Sequence, residues 1–264
     1  MTHKKKGGSK IGWIRPYLIV LIMIAVWCVG SIADLFNPYL IPPPGKVVRT
    51  AWKLMENGVL FRHMAVSFYR IAVGFAITVC LAFPMGLLVG LNKTSQAVWE
   101  APLNFVRHIP PLAMTPILIL WFGIGETAKL TVIVLSAFFP VFLNTVSGVA
   151  NCDPKLIEVG KVLGYRSSDR LVRIVLPAAF PSILVGLRLG IGYSWRALVG
   201  AELLAAAAGL GYMIIEAEQF SRPDIVLVGI FTIGVLGLLI DIIFDWISIR
   251  LMPWRGEEKT YVQG

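Results

Sequence analysis

The sequence predicts an all-α integral membrane protein with six transmembrane helices. Of its 264 residues, 57% are hydrophobic and only 15% are charged, against roughly 25% charged in a soluble domain. The mean hydropathy is +0.77. Apolar runs recur along the chain at the length of about 20 residues that a hydrocarbon core of ~30 Å requires. The net charge of +9 fits either nucleic acid or a membrane surface when taken alone. Its placement decides between them, because Lys4, Lys5, Lys6, Lys10 and Arg15 crowd before the first apolar run, as in a cytoplasmic anchor. Membrane lipid is therefore an expected partner and nucleic acid is not. The three cysteines are far apart, and Cys28 and Cys80 lie inside apolar runs, which suggests neither a disulfide framework nor a metal site.

The first span is expected at Tyr17–Phe36. This run exceeds the 7–15 residues of a signal-peptide core and no small-x-small site follows it, so it reads as uncleaved. Next, "PPPGKVVRTAWKLMENG" reads as a proline-stopped turn and a short amphipathic helix, with Val47, Val48, Ala51, Trp52 and Met55 on one face. Such a helix lies in the outer headgroup layer. The second span is expected at Ala65–Leu91. The third, Val98–Gly123, is interrupted by Pro102, Pro110, Pro111 and Pro116 and contains Arg107 and His108. Prolines remove backbone donors, so this segment is expected to be a kinked element lining a cavity rather than a lipid-facing rod.

The remaining spans are expected at Ala128–Val149, Pro177–Glu202 and Ile225–Ile249. Six spans put both termini on one side, and fifteen of the 24 Lys and Arg then fall in the cytoplasmic segments, as the positive-inside rule requires. Lys46, Arg49, Lys53 and Arg62 run against that bias, facing outward. The expected division is residues 1–63 (cytoplasmic tail, first span and interfacial helix), 64–250 (a membrane domain of the remaining spans) and 251–264 (cytoplasmic tail).

Between the fourth and fifth spans lies a polar, basic segment, "EVGKVLGYRSSDRLVRIVLP". Asp153-Pro154 fits an N-cap with proline at the first helical position. Leu156, Val159, Val162 and Leu163 follow at helical spacing, and Gly164 is placed to end the helix in a left-handed turn. A second short helix is expected near Ser167 or Ser168, and Pro177 marks entry into the next span. A stubby helix thus projects into the cytoplasm with apolar side chains that no lipid covers, which points to a protein partner.

Glu158, Gly164, Ile174, Leu176 and Pro177 stand at the spacing Glu-x5-Gly-x9-Ile-x-Leu-Pro. The segment resembles the "EAA" loop of permeases of binding-protein-dependent ABC importers of type I. Val159-Gly160 stands where the family has Ala-Ala; the slim residues keep close approach possible, although Gly160 weakens the helix by up to ~1 kcal/mol. "RHIPPLAMTPILILWFGIGETAK" and "GLRLGIGYSWRALVGAELLAAAAGLGYMI" resemble the taurine, aliphatic sulfonate and nitrate branch. The likeness covers roughly residues 40–255. It implies a type I importer permease fold and a homodimer of permeases. It also implies two ABC ATP-binding subunits carrying ATP and Mg, and an extracytoplasmic solute-binding protein. In that family this loop is the coupling helix, which assigns ATPase coupling to Glu158, Val159, Gly160, Leu163, Gly164, Tyr165 and Arg166.

No cofactor is expected on the chain itself. A phosphate-cradling loop needs G-x-x-x-x-G-K-[ST], and neither "GLNKT" nor "GKVV" supplies it. His3, His63 and His108 are scattered, so the chain is not read as an enzyme. Charged groups within spans are costly and mark candidate functional positions. Arg188 and Arg196, eight residues apart on one helix, suit an anionic solute; pairing of Arg188 with Glu202, a dimer seam and snorkelling are the structural alternatives. Trp195, Trp121, Pro111, Glu126 and Glu202 complete the expected pathway set, the two carboxylates as gate or helix-pairing residues. Gly86-x3-Gly90 and Gly186-x3-Gly190-x-Gly192 permit close helix approach. An ion-coupled secondary transporter and a non-conducting membrane scaffold are the rival functions.

Overall fold

A computed structural model describes residues 18–252. The basic residues before Tyr17, and residues 253–264 of the expected C-terminal tail, lie outside the described residues. The helices are α1 (Leu18–Ile32), α2 (Pro44–Glu56), α3 (Val59–Gly90), α4 (Lys93–Val106), α5 (Thr115–Phe122), α6 (Glu126–Ala150), α7 (Pro154–Val162), α8 (Ser167–Arg170), α9 (Leu176–Ala205), α10 (Leu210–Gln219) and α11 (Pro223–Leu251). Among the described residues four stretches are long and apolar enough to cross a membrane: Val59–Gly90, Glu126–Ala150, Ser167–Leu204 and Pro223–Leu251. Leu18–Ile32 and Pro111–Phe122 are shorter apolar helices.

The expected third span is broken at Pro110 and Pro111, whereas Pro102 lies inside α4 and Pro116 in the first turn of α5. α4 ends at Val106, Pro111–Met114 forms a 3-10 turn, and α5 follows. α3 starts at Val59, six residues before the expected Ala65, so one helix runs through the boundary expected at residues 63 and 64. α10 is an element that the sequence reading did not anticipate.

α6 is the central helix, sandwiched between α3 and α9. Val132, Ile133, Ala137, Val141 and Phe142 are fully buried on it. Glycines set both seams. A Cβ on Gly86 of α3 would come within 2.7 Å of Thr145, and one on Gly90 within 2.8 Å of Val149. On the other seam, a Cβ on Gly186 would come within 2.6 Å of Asn144, and one on Gly190 within 2.8 Å of Val141. Gly148 of α6 closes against the Ala179 carbonyl of α9 in the same way. Gly86, Gly90, Gly186 and Gly190 therefore serve packing within one chain, the small-residue contact that helices use in lipid, whereas a Cβ on Gly192 would meet only the Arg196 side chain at 3.9 Å.

Candidate functional site

The chain carries its candidate residues at two ends and one flank of this bundle. α7 joins the end of α6 to the start of the α8–α9 segment. Its first turn is capped by Asp153, whose carboxylate accepts from the Lys155 N–H at 2.9 Å, with Pro154 at the first helical position. At the other end Gly164 has φ +74. The Tyr165 N–H donates to the Gly160 carbonyl at 2.9 Å and the Gly164 N–H to the Lys161 carbonyl at 3.0 Å. This is the Schellman closure, which needs a residue tolerating the left-handed region at the glycine position.

The two faces of α7 differ. Ile157 turns inward on the cluster of Val149, Cys152, Val175, Ala179 and Ile183. Gly160 is buried too, and a Cβ there would meet the Ile174 Cδ1 at 2.5 Å. The slim residue at 160 thus lets α7 close on its own chain at the Leu171–Val175 π-turn that precedes α9. On the outer face Leu156, Val159, Val162 and Leu163 are 48%, 54%, 88% and 61% exposed. Glu158, Gly164 and Arg166 are exposed beside them. Tyr165 is half-buried, with the Arg173 guanidinium 5.4 Å above its ring. A capped knob with an apolar outer face stands between two membrane-length helices.

At the opposite end a polar network binds α3, α6 and α9. Arg70, 2% exposed, donates through Nε and Nη2 to the two Glu126 oxygens at 2.7 and 2.8 Å. Its Nη1 reaches the Glu202 Oε1 at 2.7 Å and the Ala208 carbonyl at 2.5 Å. Lys129 Nζ lies 2.7 Å from the Glu126 Oε1. Glu202, fully buried, also accepts from the Ser67 hydroxyl at 2.9 Å and from the Gly211 N–H at 2.9 Å. Ser67 in turn accepts from the Leu210 N–H, and the Gly209 N–H donates to His63. The carboxylates of Glu126 and Glu202 thus pair helices and pin the α9–α10 turn. Every charge in the network has an opposite partner, which buried ions require.

Along the flank, Arg188 of α9 pairs with Asp245 of α11 at 2.6 and 2.9 Å, not with Glu202. Both side chains are about half exposed, at 46% and 49%. Arg196 is exposed, with its guanidinium 5.3 Å over the Tyr193 ring. Trp195 is a core residue packed near Phe68 at a ring separation of 6.0 Å. Trp121 is exposed at the end of α5, and Pro111 opens the 3-10 turn.

Arg70 was legible as a charge inside a span, but its partners 56 and 132 residues away obey no sequence spacing. Asp245 stands in "LLIDIIFDWISIR", where an acid inside an apolar run was the available signal. Among the described residues no group of three or more His, Cys, Asp or Glu could hold a metal ion.

Comparisons with known proteins agree with this architecture. The chain is 38% identical over 255 residues to the putative aliphatic sulfonates transport permease protein SsuC of Bacillus subtilis (strain 168), covering 97% of this chain and 92% of the relative. It is 34% identical over 241 residues to the taurine transport system permease protein TauC of Escherichia coli (strain K12), covering 89% of this chain and 88% of the relative. Its fold matches a chain of the MetNI methionine ABC transporter, solved in inward-facing conformations, with a TM-score of 0.62 at 18% identity, covering 72% of this chain and 94% of that one. A family model matches residues 82–252. The chain belongs to the family of binding-protein-dependent transport system inner membrane components.

Proposed function

We propose that this multi-pass membrane protein is one half of the translocation pathway of an ATP-driven importer for a small anion of the alkanesulfonate or taurine type. Two copies pair, and the 64–250 region forms the conducting unit with six spans per copy and both termini cytoplasmic. ATP hydrolysis belongs to two separate subunits, and an extracytoplasmic binding protein delivers the solute. The supporting observation is the α7 knob, whose four apolar side chains are exposed while Ile157 and Gly160 pack its inner face against the end of α6 and the turn before α9, and its two ends are capped. An exposed apolar face beside a membrane-length helix fits the cleft of a soluble partner. Closure of the two ATPase subunits then moves the two knobs together and rocks the attached helices. A ligand shifts such an equilibrium only through differential affinity, so the loaded binding protein must favour one state.

The flank pair places a charged contact on the α9–α11 face. Hydrocarbon around a half-exposed Arg188–Asp245 pair costs free energy, so that face of α9 and α11 is covered by a second copy or lines water. Arg196, exposed and in no ion pair among the described residues, supports an anionic solute, with Arg188 about two turns away on the same helix already met by Asp245.

Reconstitution in liposomes tests the reading. Uptake of taurine or an alkanesulfonate should require ATP, the ATPase subunits and the binding protein together. Uptake driven by an ion gradient without the ATPase would overturn it.

A further inference from the structure

The four cations that run against the positive-inside pattern include three that share one cavity. A hollow of about 430 Å³ lies between α2 and the start of α11, lined by Lys46, Arg49, Lys53 and Arg222, with Thr50 and Asp224 among its other walls. It lies at the end of the bundle away from α7, because α2 leads into the start of α3 and Gly90 at the end of α3 packs on Val149 beside α7.

Its charge is unbalanced. Four positive groups face one carboxylate, a net of +3. That carboxylate is already committed: Asp224 is buried at the base, accepts from the Thr50 hydroxyl at 2.8 Å, and holds Arg222 at 2.9 and 3.1 Å. The nearby Glu56 is outside the lining and accepts from the Trp52 indole N–H at 2.6 Å. Among the described residues Lys46, Arg49 and Lys53 form no ion pair. Like charges gathered in one concavity repel, and the arrangement is relieved by an anion from outside the chain.

The direction of the hollow narrows the ligand. Lys46, Thr50 and Lys53, with Asn57 at the C-cap, recur at three- and four-residue spacing on one face of α2, whereas Val48, Trp52 and Met55 project from the opposite face. The apolar edge suits the acyl boundary, which places the basic face at headgroup and aqueous level. Guanidinium and ammonium donors, with the Thr50 hydroxyl beside them, match the oxygens of a tetrahedral oxyanion.

We infer that this hollow is an oxyanion site, taking the phosphate of an anionic lipid headgroup or a free phosphate-like or sulfonate anion. That it opens on the extracytoplasmic side rests on α7 being cytoplasmic; binding itself does not.

The test uses the assembled transporter in nanodiscs of phosphatidylcholine, with or without phosphatidylglycerol, and native mass spectrometry of retained lipid. Retention of phosphatidylglycerol by the parent protein is expected, and its weakening on the order of a hundred-fold in Lys46→Gln/Arg49→Gln/Lys53→Gln, at the strength surface cations show toward anionic lipid. Binding of inorganic sulfate in phosphatidylcholine discs, lost in the same variant, identifies a free anion instead and also supports the site. Should the triple variant not assemble, Lys53→Glu alone is expected to lose the same ligand. Equal retention of both probes by parent and variant overturns the inference. So does a variant that binds no less lipid or sulfate but fails only with the binding protein, since the cations then serve protein docking. ATP-dependent uptake by the same preparations reports separately on the transport reading.

Discussion

Replacing Arg70 by Met removes the one cation that both Glu126 and Glu202 share. The native guanidinium makes two bonds to Glu126, one to Glu202 and one to the Ala208 carbonyl. After the change Glu126, 52% exposed, keeps Lys129 and water. Glu202 is fully buried and keeps only the Ser67 hydroxyl and the Gly211 N–H. Removing one partner of a buried pair costs about 3–5 kcal/mol, because the remaining charge is uncompensated. At about 2–4 °C per kcal/mol for a chain of this size, the melting temperature should fall by roughly 6–20 °C. The assay is thermal unfolding of the purified protein in detergent, followed by fluorescence-detected size exclusion. Glu202→Gln added to Arg70→Met should recover part of the loss, because residues in one network are not additive. A single variant melting within about 2–4 °C of the parent, the equivalent of one kcal/mol, would refute the brace. Strictly additive effects in the double variant would refute the coupling of the two residues.

Gly164→Asp puts a side chain on a left-handed residue at an open surface; uptake should be abolished with membrane insertion normal, and unchanged uptake would count against docking at the knob. Arg188→Gln leaves Asp245 without its partner and should impair anion uptake in a correctly assembled complex, as initial-rate assays would show. Gly86→Val drives a Cβ to 2.7 Å from Thr145 and 3.1 Å from the Phe142 carbonyl. It should destabilise the fold by about 1–3 kcal/mol, seen as a lower melting temperature and a smaller folded peak. Leu156→Asp on the outer face of α7 should uncouple ATPase activity from transport without lowering the melting temperature, since that side chain is half exposed.

Much of this was legible from the sequence because lipid makes strong demands on composition. The expected Ala128–Val149 and Pro177–Glu202 spans match α6 and α9 to within three residues at each end, since an apolar run must be long enough to cross. The knob was legible to the residue, because Asp153, Pro154 and Gly164 each do a local job that no neighbour can supply. The break before α5 followed from its prolines. α10 was missed: it is short, and its Glu216 and Glu218 interrupt any apolar run. The partners of Arg70 and Arg188 were missed for a different reason, since contacts across 57 or 132 residues leave no periodic trace. Gly160 was read as leaving room for a partner, and it leaves room for Ile174.

The glycine seams give α6 a mechanical character. Where a glycine lets the neighbouring helix close to one short side chain, as at Gly86, Gly90, Gly186 and Gly190, there is little soft matter to compress, which favours α3, α6 and α9 tilting together. α6 is 25 residues long, or about 37 Å. A rotation of one degree about its α7 end swings the other end by roughly 0.6 Å on that length. On the proposed coupling through α7, a displacement at that short foot would reach the rim where Arg70 holds the helices together.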